Sequence, residues 1–456
     1  MENFSALFYT LADSFSSAFV STPTLRSFLT IITGWVLCPG RRTMTGIIRA
    51  AGYRAEKSHD AYQCFFSKAR WDMDILWQQL FFMIVKVLPL NKPILIVGDD
   101  TLAKHYGKKI WGAGLYRDAV RSSKKYPAWC WGLNWVVLTV VFEMPLLKGH
   151  YIALPVMARL NPKTPSAEKK QKKKKGSLQK NKEIKKSTTV SLMCAMIHTL
   201  ASWLPDRTFI FCGDGAYASV AKQLPANVHL VSRIRKDAAI YDTPQPKKAG
   251  KPGRPSTKGH RLPCPKDMSP VKKKSWLRLK LELYGKPSVR EVFQFQAIWY
   301  EVCPQRPVNI IVVRDPKKQH DDEFFFSTDL TLSAEAMIYI YTGRWPIEVV
   351  FRESKQYLGF QDSQARTQKA VTRTAPFCLW LNALIKLWFI QEQQQGKIHL
   401  PTPDPWYTSK KTISFQDMLD VLRRSYWDNL FSGMSINDNN FEKISRDVIN
   451  SLSKVA

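Results

Sequence analysis

Hydrophobic and polar positions change period along this chain, and the changes divide it. Residues 1–90 read as helical, and residues 71–89 are a strongly apolar helical stretch. Within them, 43–52 and 58–71 predict a short helix, a turn at Gly52, and a second helix capped at Ser58 or Asp60. That is a helix-turn-helix pattern at 43–71, whose second helix would present Gln63, Ser67, Lys68 and Arg70 to DNA. Pro93 to Asp99 is then a continuous apolar run ending in acid, which predicts a buried strand with Asp99 and Asp100 at its C-terminal tip. Strands are expected at 129–143 and 149–159, and a helix over 187–204. Thr208 to Asp214 is a second apolar strand ending in an acid; a short helix from Tyr217 and a strand at 229–234 follow. Residues 237–331 read as a β-rich insertion, with strands near 289–302, 307–314 and 323–328. Helix returns at Ser333, a good cap, and a long apolar helix covers 370–393. The tail, 396–456, carries one amphipathic helix near 415–426.

At 456 residues, 45 % hydrophobic and with 15 Trp, the chain can bury large cores in two to four units. Its net charge of +31 changes the picture more. Self-repulsion of that size calls for a polyanion, nucleic acid first and an acidic membrane surface second. Two segments concentrate the charge. Lys163 to Lys186 holds 11 Lys, too many to pack, and reads as a phosphate-tracking arm within a loop at 162–186. Residues 244–275 are rich in Pro, Gly and cations, and around Arg254 they resemble the Gly-Arg-Pro core of minor-groove peptides; a plain basic linker fits equally well. The eight cysteines form no C-x-x-C pair, which argues against a zinc ribbon and suits reduced thiols. No signal peptide is apparent, and the longest apolar run, Trp129 to Phe142, is too short to span a bilayer. A cytoplasmic, nucleoid-associated protein is expected.

One stretch organises the chemistry. Tyr341, Arg344, Glu348 and Lys355 would fall within a helical sector of about 60°. Three phosphate-contacting groups would thus surround one acid. Pro346 cannot sit in a helix interior without breaking a backbone bond, so a helix is expected to start or kink near Trp345–Pro346. Two strand-end acids and one helix acid can converge on hard divalent cations, which favour carboxylate oxygens. A pair of such ions stabilises the attacking and leaving oxygens of a phosphodiester displacement.

The order of these elements is ribonuclease-H-like. The chain resembles DDE transposases of bacterial insertion sequences, in the branch with a Y-(2)-R-(3)-E-(6)-K signature, which Tyr341, Arg344, Glu348 and Lys355 match at every position. Gly98-Asp99-Asp100-Thr101, Gly213-Asp214-Gly215 and Phe65 to Trp71 also look like this group. The resemblance implies an α/β fold: a ribonuclease-H-like core (91–236 and 332–395) interrupted by the insertion, a helical DNA-binding region at 1–90 and a helical tail. It implies a catalytic, metal-binding triad of Asp100, Asp214 and Glu348, with Asp99 left open as the first acid. Mg²⁺, or Mn²⁺ in its place, is the implied cofactor. Tyr341, Arg344 and Lys355 would bind phosphates, and Trp345 would stack a flipped base, with Trp299 or Tyr300 as alternatives. The implied activity is cleavage at inverted-repeat ends and strand transfer into target DNA, by a homodimer or higher oligomer on double-stranded DNA. Two alternatives stay open: an inactive, transposase-derived DNA-binding protein, and a nuclease that cuts without joining.

Overall fold

The computed structural model describes residues 4–118, 120–123, 125–145, 149–163, 188–244, 256–268, 276–283, 285–398 and 412–432. The lysine-rich segment from 164 onward and Arg254 lie outside the described residues.

Five helices come first: α1 (Ala6–Asp13), α2 (Thr22–Leu37), α3 (Met44–Ala51), α4 (His59–Ser67) and α5 (Met73–Val85). Side chains cap their starts where the sequence offers short polar groups: Ser5 accepts from Phe8 N–H, Thr43 from Gly46 N–H and Asp72 from Asp74 N–H. Ser58 stands at the start of α4 without a side-chain bond.

Strands β1 (Ile94–Lys104), β2 (Gly114–Arg117), β3 (Trp129–Glu143) and β4 (Tyr151–Asn161) follow. After α6 (Thr189–Trp203) come β5 (Phe209–Gly213), a 3₁₀ segment (Gly215–Gln223), β6 (Val228–Arg233) and β7 (Ile240–Tyr241). Strands β8 (Leu277–Leu283), β9 (Lys286–Trp299), β10 (Val308–Arg314) and β11 (Glu323–Ser327) precede the last helices. These are α7 (Ala334–Thr342), α8 (Pro346–Tyr357), α9 (Gln368–Gln394) and α10 (Phe415–Ser432).

Among the described residues the eleven strands belong to one sheet, ordered β2-β3-β1-β5-β6-β11-β10-β9-β7, with β4 on β3 and β8 on β9. Only β1–β5 and β5–β6 are parallel. The stretch read as an insertion therefore extends the sheet that carries the acids, through β11 paired to β6. The alternation Leu277-Arg-Leu-Lys-Leu-Glu-Leu283 makes β8, a strand that the sequence reading passed over.

Helix α9 is the internal post. Almost its whole length from Ala370 to Ile390 is buried. Phe28, Phe65 and Phe66 pack on Phe377, Phe15 on Trp380 and Phe8 on Trp388. The Arg373 guanidinium donates to the carbonyls of Phe66, Ala69 and Trp71 and stacks on the Trp71 ring. Trp35 Nε1 donates to Leu358 O, 2.8 Å away, just beyond α8. The N-terminal helices thus share one hydrophobic core with the sheet, from Phe4 to Leu430. Among the described residues, no helix is long and apolar enough to cross a membrane.

A buried ion pair fixes α8. Lys386 Nζ of α9 lies 2.6 Å from Glu353 Oε2 of α8 and donates to Ala153 O of β4 at 3.2 Å. Both side chains are under one tenth exposed. Removing one member strands a buried charge, whereas replacing both with apolar groups removes the problem. Lys386→Met is expected to cost about 3–5 kcal/mol in urea unfolding, and Lys386→Met with Glu353→Met far less.

Candidate active site

The site forms where β5 ends beside β1. The two strands pair in parallel as far as Gly98 opposite Gly213. Asp99 and Asp214 are the next residues on each. The close fit there requires glycine: a Cβ on Gly98 would meet Met193 Sδ at 2.6 Å and the Phe211 ring at 2.8 Å. Contrary to the sequence reading, Asp99 and Asp100 do not end β1. Antiparallel pairing with β3 carries the strand on to Lys104, with Asp99 opposite Val137 and Asp100 opposite Val136.

Alternation along β1 sends the two acids to opposite faces. Asp99 meets the joint between α7 and α8: Arg344 Nη1 lies 2.8 Å from Asp99 Oδ2, and Nη2 lies 2.7 Å from Glu348 Oε1. One guanidinium therefore bridges a strand acid and a helix acid. Asp100, the more exposed, accepts from Tyr217 Oη at 2.9 Å. Asp214 caps the 3₁₀ segment, accepting from Ala216 N–H, and Ser232 Oγ donates to its carbonyl.

The electrostatics are those of crowded acids. Burial pushes the Asp99 carboxyl up to about 7; Arg344 and the Asp100 N–H pull against this, while Asp214 and Asp100 add to it. Burial first, and then the Asp100 charge, raise the Tyr217 phenol. Arg344 stays firmly cationic, as Asp99, Tyr341 and Glu348 outweigh its burial.

Pro346 opens α8 at its first turn, so Glu348 sits in the first turn and Lys355 in the last. Lys355 Nζ donates to Thr101 Oγ1 at 2.8 Å, on the β1 face that holds Asp99. Burial and the neighbouring Lys104 depress its ammonium, and Lys104 is itself paired to Asp118 at 2.7 Å. Among the described residues no carboxylate pairs with Lys355. Tyr341 belongs to α7, before the break, and does not share the helix of Glu348. It packs on Phe325 at 4.5 Å, under the Arg233 guanidinium at 5.2 Å.

Trp345 is 54 % exposed and lines a cavity of about 600 Å³ with His150, Tyr339 and Lys386. Trp299 is buried against Phe326, which removes it as a stacking platform; Tyr300 is partly exposed beside Tyr241 and Lys258. On α4 and just beyond it, Gln63, Lys68 and Arg70 are exposed, remote in sequence from the acids. The sequence reading missed the bridge to Asp99 and the Tyr217–Asp100 and Lys355–Thr101 contacts. Strand alternation across Asp99-Asp100-Thr101 was the available signal.

The donor set, carboxylate oxygen throughout, suits a hard divalent cation. Mutual repulsion among Asp99, Asp100 and Asp214 is what such a cation would relieve. Among the described residues, no three His, Cys, Asp or Glu side chains are gathered as a metal-binding group. Glu348 is engaged by Arg344 instead.

Residues 278–387 match the profile of an archaeal ISC1217-like transposase domain. No curated protein matches. Residues 14–292, more than half of the chain, match the profile of the DDE superfamily endonucleases, and the chain belongs to that family.

Proposed function

We propose that the protein is a DDE transposase that cuts DNA at the inverted-repeat ends of its element and joins the freed 3′ ends to target DNA, by cut-and-paste. The observation that carries this reading is the Asp99–Arg344–Glu348 bridge beside Asp214. It supports the reading because one guanidinium links an acid of β1 to an acid of α8, and the residue after the paired end of the neighbouring strand β5 is Asp214.

Asp100, Asp214 and Glu348 are the proposed ligands of Mg²⁺ or Mn²⁺, and Asp99 the anchor of Arg344. In support, Asp99 is already compensated by Arg344, whereas Asp100 is exposed. The face of β1 argues the other way, and paired substitutions decide. When bound, the cation supplies Lewis-acid stabilisation to the reacting oxygens. The chain's own part is positioning. Arg344 is a fork suited to two-point phosphate contact, and Lys355 a point charge that a phosphate would relieve of its burial. Tyr341 would border the same phosphates, and Trp345 offers a stacking face beside a cavity large enough for a base. Gln63, Lys68 and Arg70 are proposed to read end sequence, and Arg254 to add a minor-groove contact. A homodimer or higher oligomer would pair two ends.

Glu348→Gln is expected to reduce nicking of an element-end duplex by at least about a hundredfold while leaving its binding within a few-fold. Chelation with EDTA should do the same to the unaltered protein. Glu348→Gln protein that still nicks in Mg²⁺ sinks the assignment. Asp100→Asn is expected to abolish nicking and Asp99→Asn only to weaken it; the reverse ranking makes Asp99 the ligand. Lys355→Ala should weaken end binding and lower its salt slope by about one. An unchanged slope, read by anisotropy titration, removes Lys355 from the phosphate contacts.

A further inference from the structure

Large apolar side chains lie exposed where β1, β2 and β3 leave the body of the sheet. Tyr106 is 98 % exposed, Trp129 59 % and Leu115 54 %. Such groups scattered singly mean little, but a cluster marks a contact surface. The register gathers them. Leu115 opposes Trp131, and Arg117 opposes Trp129; directly opposed residues share a face. Along β3 these tryptophans have the parity of Leu133 and Trp135, which oppose Ala103 and Thr101. That is the face of Asp99 and of Thr101, the partner of Lys355. Near α8 it is covered, with Trp135 against Phe360. Farther out it emerges into solvent, and Trp131 Nε1 donates to Gly107 O at 3.1 Å, holding the Tyr106 loop beside it.

We propose that this outer face is a platform for unpaired DNA bases, an inference that rests on DNA being the substrate. Phosphates of a duplex need only cations, whereas ring faces are complementary to bases, and bases present their faces only when unpaired. The exposed Arg117 on the same face supplies the accompanying charge. Trp129 stands eight residues beyond Asp99 in the strand direction, or about 26 Å at ~3.3 Å per residue. At ~3.4 Å per nucleotide of stacked strand, the platform meets DNA roughly seven or eight nucleotides from the acids. It would hold a strand opened beside the cut.

The test is anisotropy titration of the full-length protein in EDTA, with a labelled thymidine oligonucleotide and a duplex of equal length. Trp129→Ala is expected to weaken single-strand binding about 5- to 100-fold, the loss of one stacked base, with duplex affinity unchanged. Trp129→Phe keeps a ring face and should recover most of the loss. Single-strand affinity unchanged in Trp129→Ala, or an equal loss on both DNAs, overturns the platform. So does a Trp129→Ala protein that turns from associated to monomeric in light scattering while keeping its single-strand affinity, since the face would then join copies of the chain. Duplex binding with no Trp129-dependent single-strand binding overturns the platform alone; binding of neither DNA overturns the transposase reading as well.

Discussion

Carboxylates brought close together repel one another, and a guanidinium bridges two of them here. Arg344 lies between Asp99 on the sheet and Glu348 on α8. Without that positive charge, Asp99, already pushed up by burial and by Asp214, would keep only the Asp100 N–H as compensation. The joint that carries Arg344 is tight: Arg344 N–H donates to Tyr341 O, and Glu348 N–H to Trp345 O. Pro346 suits this place because it opens a helix and has no N–H to lose there. Glycine at 343 closes α7 in the right-handed helical region, a conformation open to any residue.

The rest of the fold keeps that joint in place. Glu353 and Lys386 tie α8 to α9 and β4, and Trp35 ties α2 to the turn after α8. Because α1, α2 and α4 wrap α9, the helices expected to read DNA and the acids expected to cut it stand on one core. Reading and cutting are then not separable by truncation: deleting residues 1–90 would expose the aromatic face of α9 instead of isolating a catalytic unit.

Much of this was legible in the sequence. The strand ending at Asp214, the cap at Ser333 and the helix start at Pro346 are local events, set by apolar runs, capping groups and a missing N–H. What escaped depends on pairing at a distance. The apolar run stops at Val97, yet β1 continues because β3 offers it partners up to Gly132. The insertion was read only as interrupting the core, because nothing in Glu323–Ser327 announces that it will pair with Val231 to Arg233. The period-2 pattern of β8 was plain but sat next to a basic stretch that read as a linker. The common sector drawn for Tyr341 and Glu348 assumed one helix, where the chain builds two.

The parallel pairing of β1 with β5 has a last consequence. Neighbouring strands keep a spacing of about 4.8 Å whatever their loops do. The backbones bearing Asp99 and Asp214 are therefore cast in one piece, like two fixed jaws of a vice. Glu348 comes from a separate element, α8, through the four-residue joint Gly343 to Pro346, and is held by Arg344 while the Glu353–Lys386 pair holds its helix. Strand pairing thus sets the backbone of two of the acids, and side-chain contacts alone set the position of the third.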